Sequence, residues 1–344
     1  MSFARRTLHG VAHLPHRLLR AVAGAARADA DGGGGGGDSD SQGQAILSNL
    51  WDFYSMASFL PAGSIAPELE ESDSLKIEVL PWDITGITTM KIPPALNPTS
   101  YFVPLSEEYI QQHPLDLSRS ETCQQVESTA RLLRPDYSRS TRQQMPIPSY
   151  GKAQILAHHL TSVMRAPRLN FPPGSWSRLS MVTGWRWNIN FHLEPAFDRA
   201  SSGSSERYNW GTDTFWACSN SPTFPHIKVA IYHDDVEHPE RLLKAELMVL
   251  AATMHSRLGM DTLTEHVVVP TMLFSFIGTS VRIVIAIHDG RCLRISKSDL
   301  MPYSEGSNDL WNVLVRFLAG GINGELSTQR LPVMDEADNA YPVC

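Results

Sequence analysis

Residues 226–295 read HIKVAIYHDDVEHPERLLKAELMVLAATMHSRLGMDTLTEHVVVPTMLFSFIGTSVRIVIAIHDGRCLRI, and the change of hydrophobic period inside this run decides the fold class. His226–His233 is a compact strand of branched and aromatic residues. Pro239 then stands where proline opens a helix. Leu243, Leu247, Leu250, Met254 and Leu258 recur along one face, Glu240 and Lys244 form an i,i+4 pair, and Gly259 ends the segment. Three strands are expected next, over His266–Ile277, Ser280–Ile287 and Cys292–Ile295. Gly278 and Asp289-Gly290 supply the turns between them. Pro270 marks the first of these strands as an edge strand or one with a bulge.

Upstream, Ser149–Arg165 reads as a helix with Ile155, Leu156, Leu160 and Val163 on one face. Gly184–Leu193 alternates, with Trp185, Trp187, Ile189, Phe191 and Leu193 on one side and Arg186, Asn188, Asn190 and His192 on the other. Downstream, Asn308–Leu318 closes as a helix before Gly320-Gly321. The expected fold is α+β: a mixed or antiparallel sheet of about five to six strands with helices packed on it. The main domain is placed at 149–325. Residues 45–148 read as an irregular arm holding an apolar helix at 45–62 and two strand-like runs, LKIEVL and ITTMKI. Residues 1–44, with six consecutive glycines, read as a disordered tail that adds nothing to folded stability, and 326–344 as a frayed end.

The 344 residues carry a formal net charge of −7, which argues against general nucleic-acid binding, since that requires a basic face. No apolar run is long enough to span a bilayer, so a soluble protein is expected. Cys123, Cys218, Cys292 and Cys344 lie far apart, which excludes a finger-type zinc site and suits reduced thiols inside a cell. The first 28 residues hold Arg5, Arg6, Arg17, Arg20 and Arg27 and no acid, among apolar residues at near-helical spacing. Such a pattern resembles a mitochondrial presequence, although Pro15 interrupts it; the expected compartment is the cytoplasm, with the mitochondrion as alternative.

The candidate chemistry is sparse. No GxSxG, HExxH or phosphate-binding loop is present, and the residues identify no cofactor. His233, Asp234 and Asp235 form a cluster that offers metal ligands, but acids just before a helix serve equally as caps, and no metal is expected. Lys228 shares a strand face with His226, Ala230 and Tyr232; if buried it needs a partner, for which Glu246 on the following helix is the candidate. The order helix, three strands, helix, strand resembles, loosely, metal-dependent nucleases of the PD-(D/E)xK type. Glu194 or Asp213 would then stand for the metal-binding acid and Lys228 for the lysine, while the acid of the Glu-x-Lys pair is missing from His226-Ile227-Lys228. A third reading makes Trp210, Phe215 and Trp216 the wall of a small-molecule pocket, with Arg186 and His192 at its mouth.

TFWACSNSPTFPHIKV at 214–229 and the SFIGxxxR run at Ser275–Arg282 resemble a family of proteins from filamentous fungi, over roughly Gly211–Gly320. The resemblance implies a fungal source and a setting in natural-product gene clusters, and carries no catalytic residue across. The resulting expectation is an accessory or binding protein whose partners are a small molecule or pathway proteins. A degenerate metal-dependent phosphodiesterase-like enzyme, or a binder or isomerase-like enzyme with an aromatic pocket, are the alternatives.

Overall fold

The computed structural model describes residues 37–60, 76–84, 92–133, 147–172, 177–187, 191–204, 209–218, 224–304 and 309–332. The basic N-terminal segment, the ITTMKI run up to Lys91, Asn188 and Asn190, and the chain end from Val333 lie outside these residues. In chain order the helices are α1 (Gly37–Phe59), α2 (Glu107–Gln112), α3 (Ser120–Leu133), α4 (Ser149–Arg165), α5 (Leu179–Val182), α6 (Asp198–Ser201), α7 (Lys244–Leu258) and α8 (Asp309–Ala319). The strands are β1 (Ile77–Pro81), β2 (Phe102–Val103), β3 (Trp185–Trp187), β4 (Ser202–Ser204), β5 (Asn209–Cys218), β6 (Ile227–His233), β7 (Thr271–Ile277), β8 (Ser280–His288), β9 (Leu293–Lys297), β10 (Met301–Pro302) and β11 (Gly321–Ile322). The fold is α+β. None of the described helices is long and apolar enough to cross a membrane.

Among the described residues nine strands form one mixed sheet in the order β1-β9-β8-β7-β6-β5-β3, with β10 beside β8 and β4 beside β5. The sheet is larger than the five to six strands expected. β6 and β7 run parallel, as do β1 and β9, and the remaining pairs are antiparallel. A parallel pair needs a crossover, and α7 is the crossover between β6 and β7. Every residue of β7 is buried: β6 and β8 flank its edges, and α4 and α7 pack on it from the two faces. It is therefore a central strand, and the edge position suggested by Pro270 does not hold. Pro270 sits just before the strand, and its carbonyl accepts from Ile227 N at 3.1 Å, so the missing N–H falls outside the ladder.

Successive side chains of β6 address opposite faces of the sheet. Lys228, Ala230 and Tyr232 face α4 and α8, while His233 on the other parity reaches Ser275 beneath α7. α7 begins at Lys244, five residues later than Pro239 suggested. The Glu246 carboxylate accepts from Leu243 N at 2.8 Å, which fixes the start of the helix there. The segment before it is held open by Arg282, whose guanidinium binds Pro239 O at 2.5 Å and Arg241 O at 2.7 Å. Lys244, freed from the expected pair with Glu240, donates to Ser58 O at 3.0 Å and Leu60 O at 2.6 Å at the end of α1.

Described parts of the arm pack on the sheet and its helices. β1 adds a strand beside β9, where Arg294 bridges Glu78 and Asp289. α1 packs along α7 and buries Ile46, Leu50, Phe53, Tyr54 and Ala57 in the same hydrophobic core as the sheet. Residues 37–44, read from sequence as tail, are its first two turns. Among the described residues of the alternating run at 184–193, Trp185–Trp187 form a strand and Phe191–Leu193 do not.

Candidate functional site

α4 crosses the sheet, and its polar residues Tyr150, Gln154, His158, Thr161 and Arg165 recur at three- and four-residue spacing along one edge. They meet one strand after another. Tyr150 lies edge-on to Tyr232 of β6 at 5.1 Å between ring centroids, and Gln154 Nε2 donates to the Tyr232 hydroxyl at 3.4 Å. On β5, His158 Nδ1 lies 3.9 Å from Asp213 Oδ1, and Thr161 Oγ1 donates to Asp213 Oδ2 at 3.3 Å. Arg165 ends the row, its guanidinium 4.3 Å over the ring of Trp187 on β3.

Asp213 owes its direction to a bulge. Thr212 pairs with Ile231 and Thr214 with Ala230, so Asp213 is the extra residue and its carboxylate is turned toward α4. Thr214 Oγ1 donates to Asp213 Oδ2 at 2.7 Å, leaving Oδ1 toward the imidazole. The carboxylate is 13% exposed and the His158 side chain 73%. Tyr232 lies flat over Gly211, where a Cβ would come within 2.6 Å of the phenol oxygen. Burial, the Tyr150 hydroxyl and the Asp213 charge all push the Tyr232 phenol above its usual range, so it remains a neutral donor and acceptor.

The metal-ligand candidates separate. His233 is fully buried on the α7 face, its Nε2 3.1 Å from Ser275 Oγ, and burial pushes its imidazole down to about 4. Asp234 accepts from Tyr150 N at 2.9 Å in the first turn of α4, and from Asn209 N and Nδ2 at 2.9 and 2.7 Å, so it ties three elements together. Asp235 lies against Gly278, whose φ of 55° only glycine adopts freely and where a Cβ would come 2.1 Å from the carboxylate. Among the described residues no three His, Cys, Asp or Glu side chains are placed to share a metal ion.

The three residues suggested for nuclease chemistry also do not converge. Glu194 follows β3 in a turn on the α7 side, where Oε1 lies 3.5 Å from His255 Nδ1 and its amide donates to Ser256 Oγ at 3.0 Å. Lys228 is fully buried, and its Nζ donates to Phe317 O, Leu318 O and Gly320 O, each at 2.9 Å, at the end of α8. It also lies 3.7 Å from the Trp185 ring. Glu246 is not its partner: α7 lies on the opposite face, and Glu246 Oε1 and Oε2 accept from Arg282 Nε and NH2 at 2.8 and 2.5 Å.

The aromatic candidates fill space in different places. Trp216 and Trp210 are buried, and Phe215 stands edge-on to Phe191 at 5.1 Å. Arg186 donates to Ser180 O at 2.7 Å and His192 is exposed, so these five do not line one cavity. Of the residues singled out from sequence, only Asp213 belongs to the polar row. Gln154 and His158, four apart on a helix whose other side is apolar, were the legible signal for the rest. Comparison with family models, with curated proteins and with solved structures finds no match for this chain.

Proposed function

We propose that this chain is a binding protein for a small polar molecule, held beside Asp213 between α4 and the β5–β6 strands without covalent chemistry. The make-up of the site carries this reading. One carboxylate faces an imidazole across 3.9 Å, a neutral phenol and an amide stand next to it, and no second acid joins them among the described residues. Hydrolysis through a bound cation requires ligands beyond one carboxylate and a group to handle the attacking water. The β6 positions on that face are Ala230 and Tyr232, and the lysine of the strand serves α8. Acceptor, donor and amphoteric groups on two sides suit recognition of a molecule rich in hydroxyl or amino groups. An accessory role in a fungal natural-product pathway is the setting that the resemblance at 214–282 supports.

Thermal melting with polyols, sugars, amino acids and nucleosides tests the reading. One of these classes is expected to raise the melting temperature of the full chain by several degrees, and Asp213→Asn and Tyr232→Phe are each expected to remove the rise. No rise with any class, or a rise that survives both substitutions, would overturn it. A second reading, a degenerate phosphodiesterase scaffold, is favoured by the order α4, antiparallel β3–β5–β6, α7, parallel β7. It predicts that Mn²⁺ stabilises the wild type and not Asp213→Asn.

A further inference from the structure

We infer that the hollow between the start of α3 and the last turn of α4 is an anion site that takes the phosphate group of a small ligand. The hollow measures about 200 Å³ and its lining includes Glu121, Thr122, Ser162, Arg165 and Arg178. That is below the roughly 300 Å³ at which pockets for whole drug-sized molecules begin, and it suits one compact group.

Two guanidinium groups reach it from separate elements, Arg165 from the end of α4 and Arg178 from the residue before α5. Neither has a carboxylate partner among the described residues. Arg165 is held by its contact with Trp187, so its planar fork is oriented before any ligand arrives. Thr122 is 4% exposed, lines the hollow, and its hydroxyl has no protein partner there. Its oxygen keeps accessible area, so the hydroxyl can donate to a guest in the hollow. Ser120, Glu121 and Thr122 form the first turn of α3, a 14-residue helix whose positive end faces the same space.

Two features oppose an anion, the exposed Glu121 carboxylate at the rim and the negative end of α4. The α3 and α4 ends offset each other, which leaves two cations against one solvated acid. A cationic guest would meet both arginines, which are exposed, and a neutral one would gain nothing from their charge. Paired guanidiniums with a hydroxyl donor match the oxygens of a phosphate group. This inference does not depend on the reading of Asp213.

The test is titration calorimetry of the full chain with inorganic phosphate and with phenyl phosphate at constant ionic strength. One saturable site in the millimolar range or tighter is expected. Arg178→Ala, which lies outside α4 and the Trp187 contact, is expected to weaken it about tenfold or more, and the volume-matched Thr122→Val roughly three- to tenfold. Circular dichroism of both variants confirms that they fold. Tighter binding of phenyl phosphate would identify a phosphoester as the source of the group, and tighter binding of phosphate the free ion. No saturable heat, unchanged affinity in both variants, or acetate binding as tightly as phosphate would overturn the inference.

Discussion

A buried ammonium has three protons to place, and Lys228 places them on three carbonyls at the end of α8. Burial alone drives this amine well below its ordinary range, yet three acceptors and an aromatic face favour the charged form that can fill them all. Lys228→Met therefore leaves three buried acceptors without donors and should cost about 3–5 kcal/mol in urea unfolding; a loss under about 1 kcal/mol would show the carbonyls satisfied otherwise. On the other face Arg282 and Glu246 form a buried pair in which each also satisfies backbone groups. Arg282→Met alone should cost about 3–5 kcal/mol, and adding Glu246→Leu should restore much of it, because the stranded charge is then gone. Additive losses in that cycle would contradict the account. The sequence shows both charged residues but not their pairing. Parity on β6 separates Lys228 from His233, yet which parity lies beneath α7 depends on packing that no local pattern reveals.

Elements with long apolar runs are legible, and elements defined by distant partners are not. α7, β7 and β8 announce themselves by apolar content, since α7 is buried on every side from Ala245 to Arg257 and both strands are buried on both faces. β1 looked like part of a loose arm because its partner β9 lies more than two hundred residues away in sequence. The start of α7 moved because Glu246 and Arg282 settle the preceding turn through tertiary contacts. The sequence suggests a short helix beyond a linker, yet α1 is continuous from Gly37 and packs along α7. Leu50→Ala should thus cost about 2–5 kcal/mol, as for a central core residue, while Asp52→Ala two positions on should change stability by under about 0.5 kcal/mol. Equal small effects in chemical denaturation would mean that α1 does not dock.

Across the molecule, four imidazoles are buried in the neutral state: His159, His233 and His288 fall to about 4 and His226 to about 3, burial being the main cause in each. Their unfolded values lie near 6.5, so between those limits the unfolded chain binds more protons and stability falls as pH falls. A depression from 6.5 to about 4 corresponds to on the order of 3 kcal/mol per histidine, and four together rival the roughly 5–15 kcal/mol that holds a domain folded. Glu246 and Asp289 act lower: burial raises each, but Arg282 in one case and backbone amides with Arg294 in the other outweigh it and hold them below the usual range. The stability they contribute is lost as pH drops below about 4. Acid unfolding followed by circular dichroism should begin below pH 6.5 and be complete near pH 4, whereas a flat profile to pH 4 would contradict the buried neutral histidines.

At the same scale, Asp213 is the member of the candidate site that the sequence singles out. A bulge and a helix crossing three strands assemble it, and neither leaves a motif. The site is proposed to bind and not to hydrolyse. The direct test is cleavage of bis(p-nitrophenyl) phosphate by the full chain with Mn²⁺ or Mg²⁺, beside Asp213→Asn. The predicted result is no cleavage above the metal-only rate in either protein; metal-dependent turnover in the wild type that Asp213→Asn abolishes would contradict it.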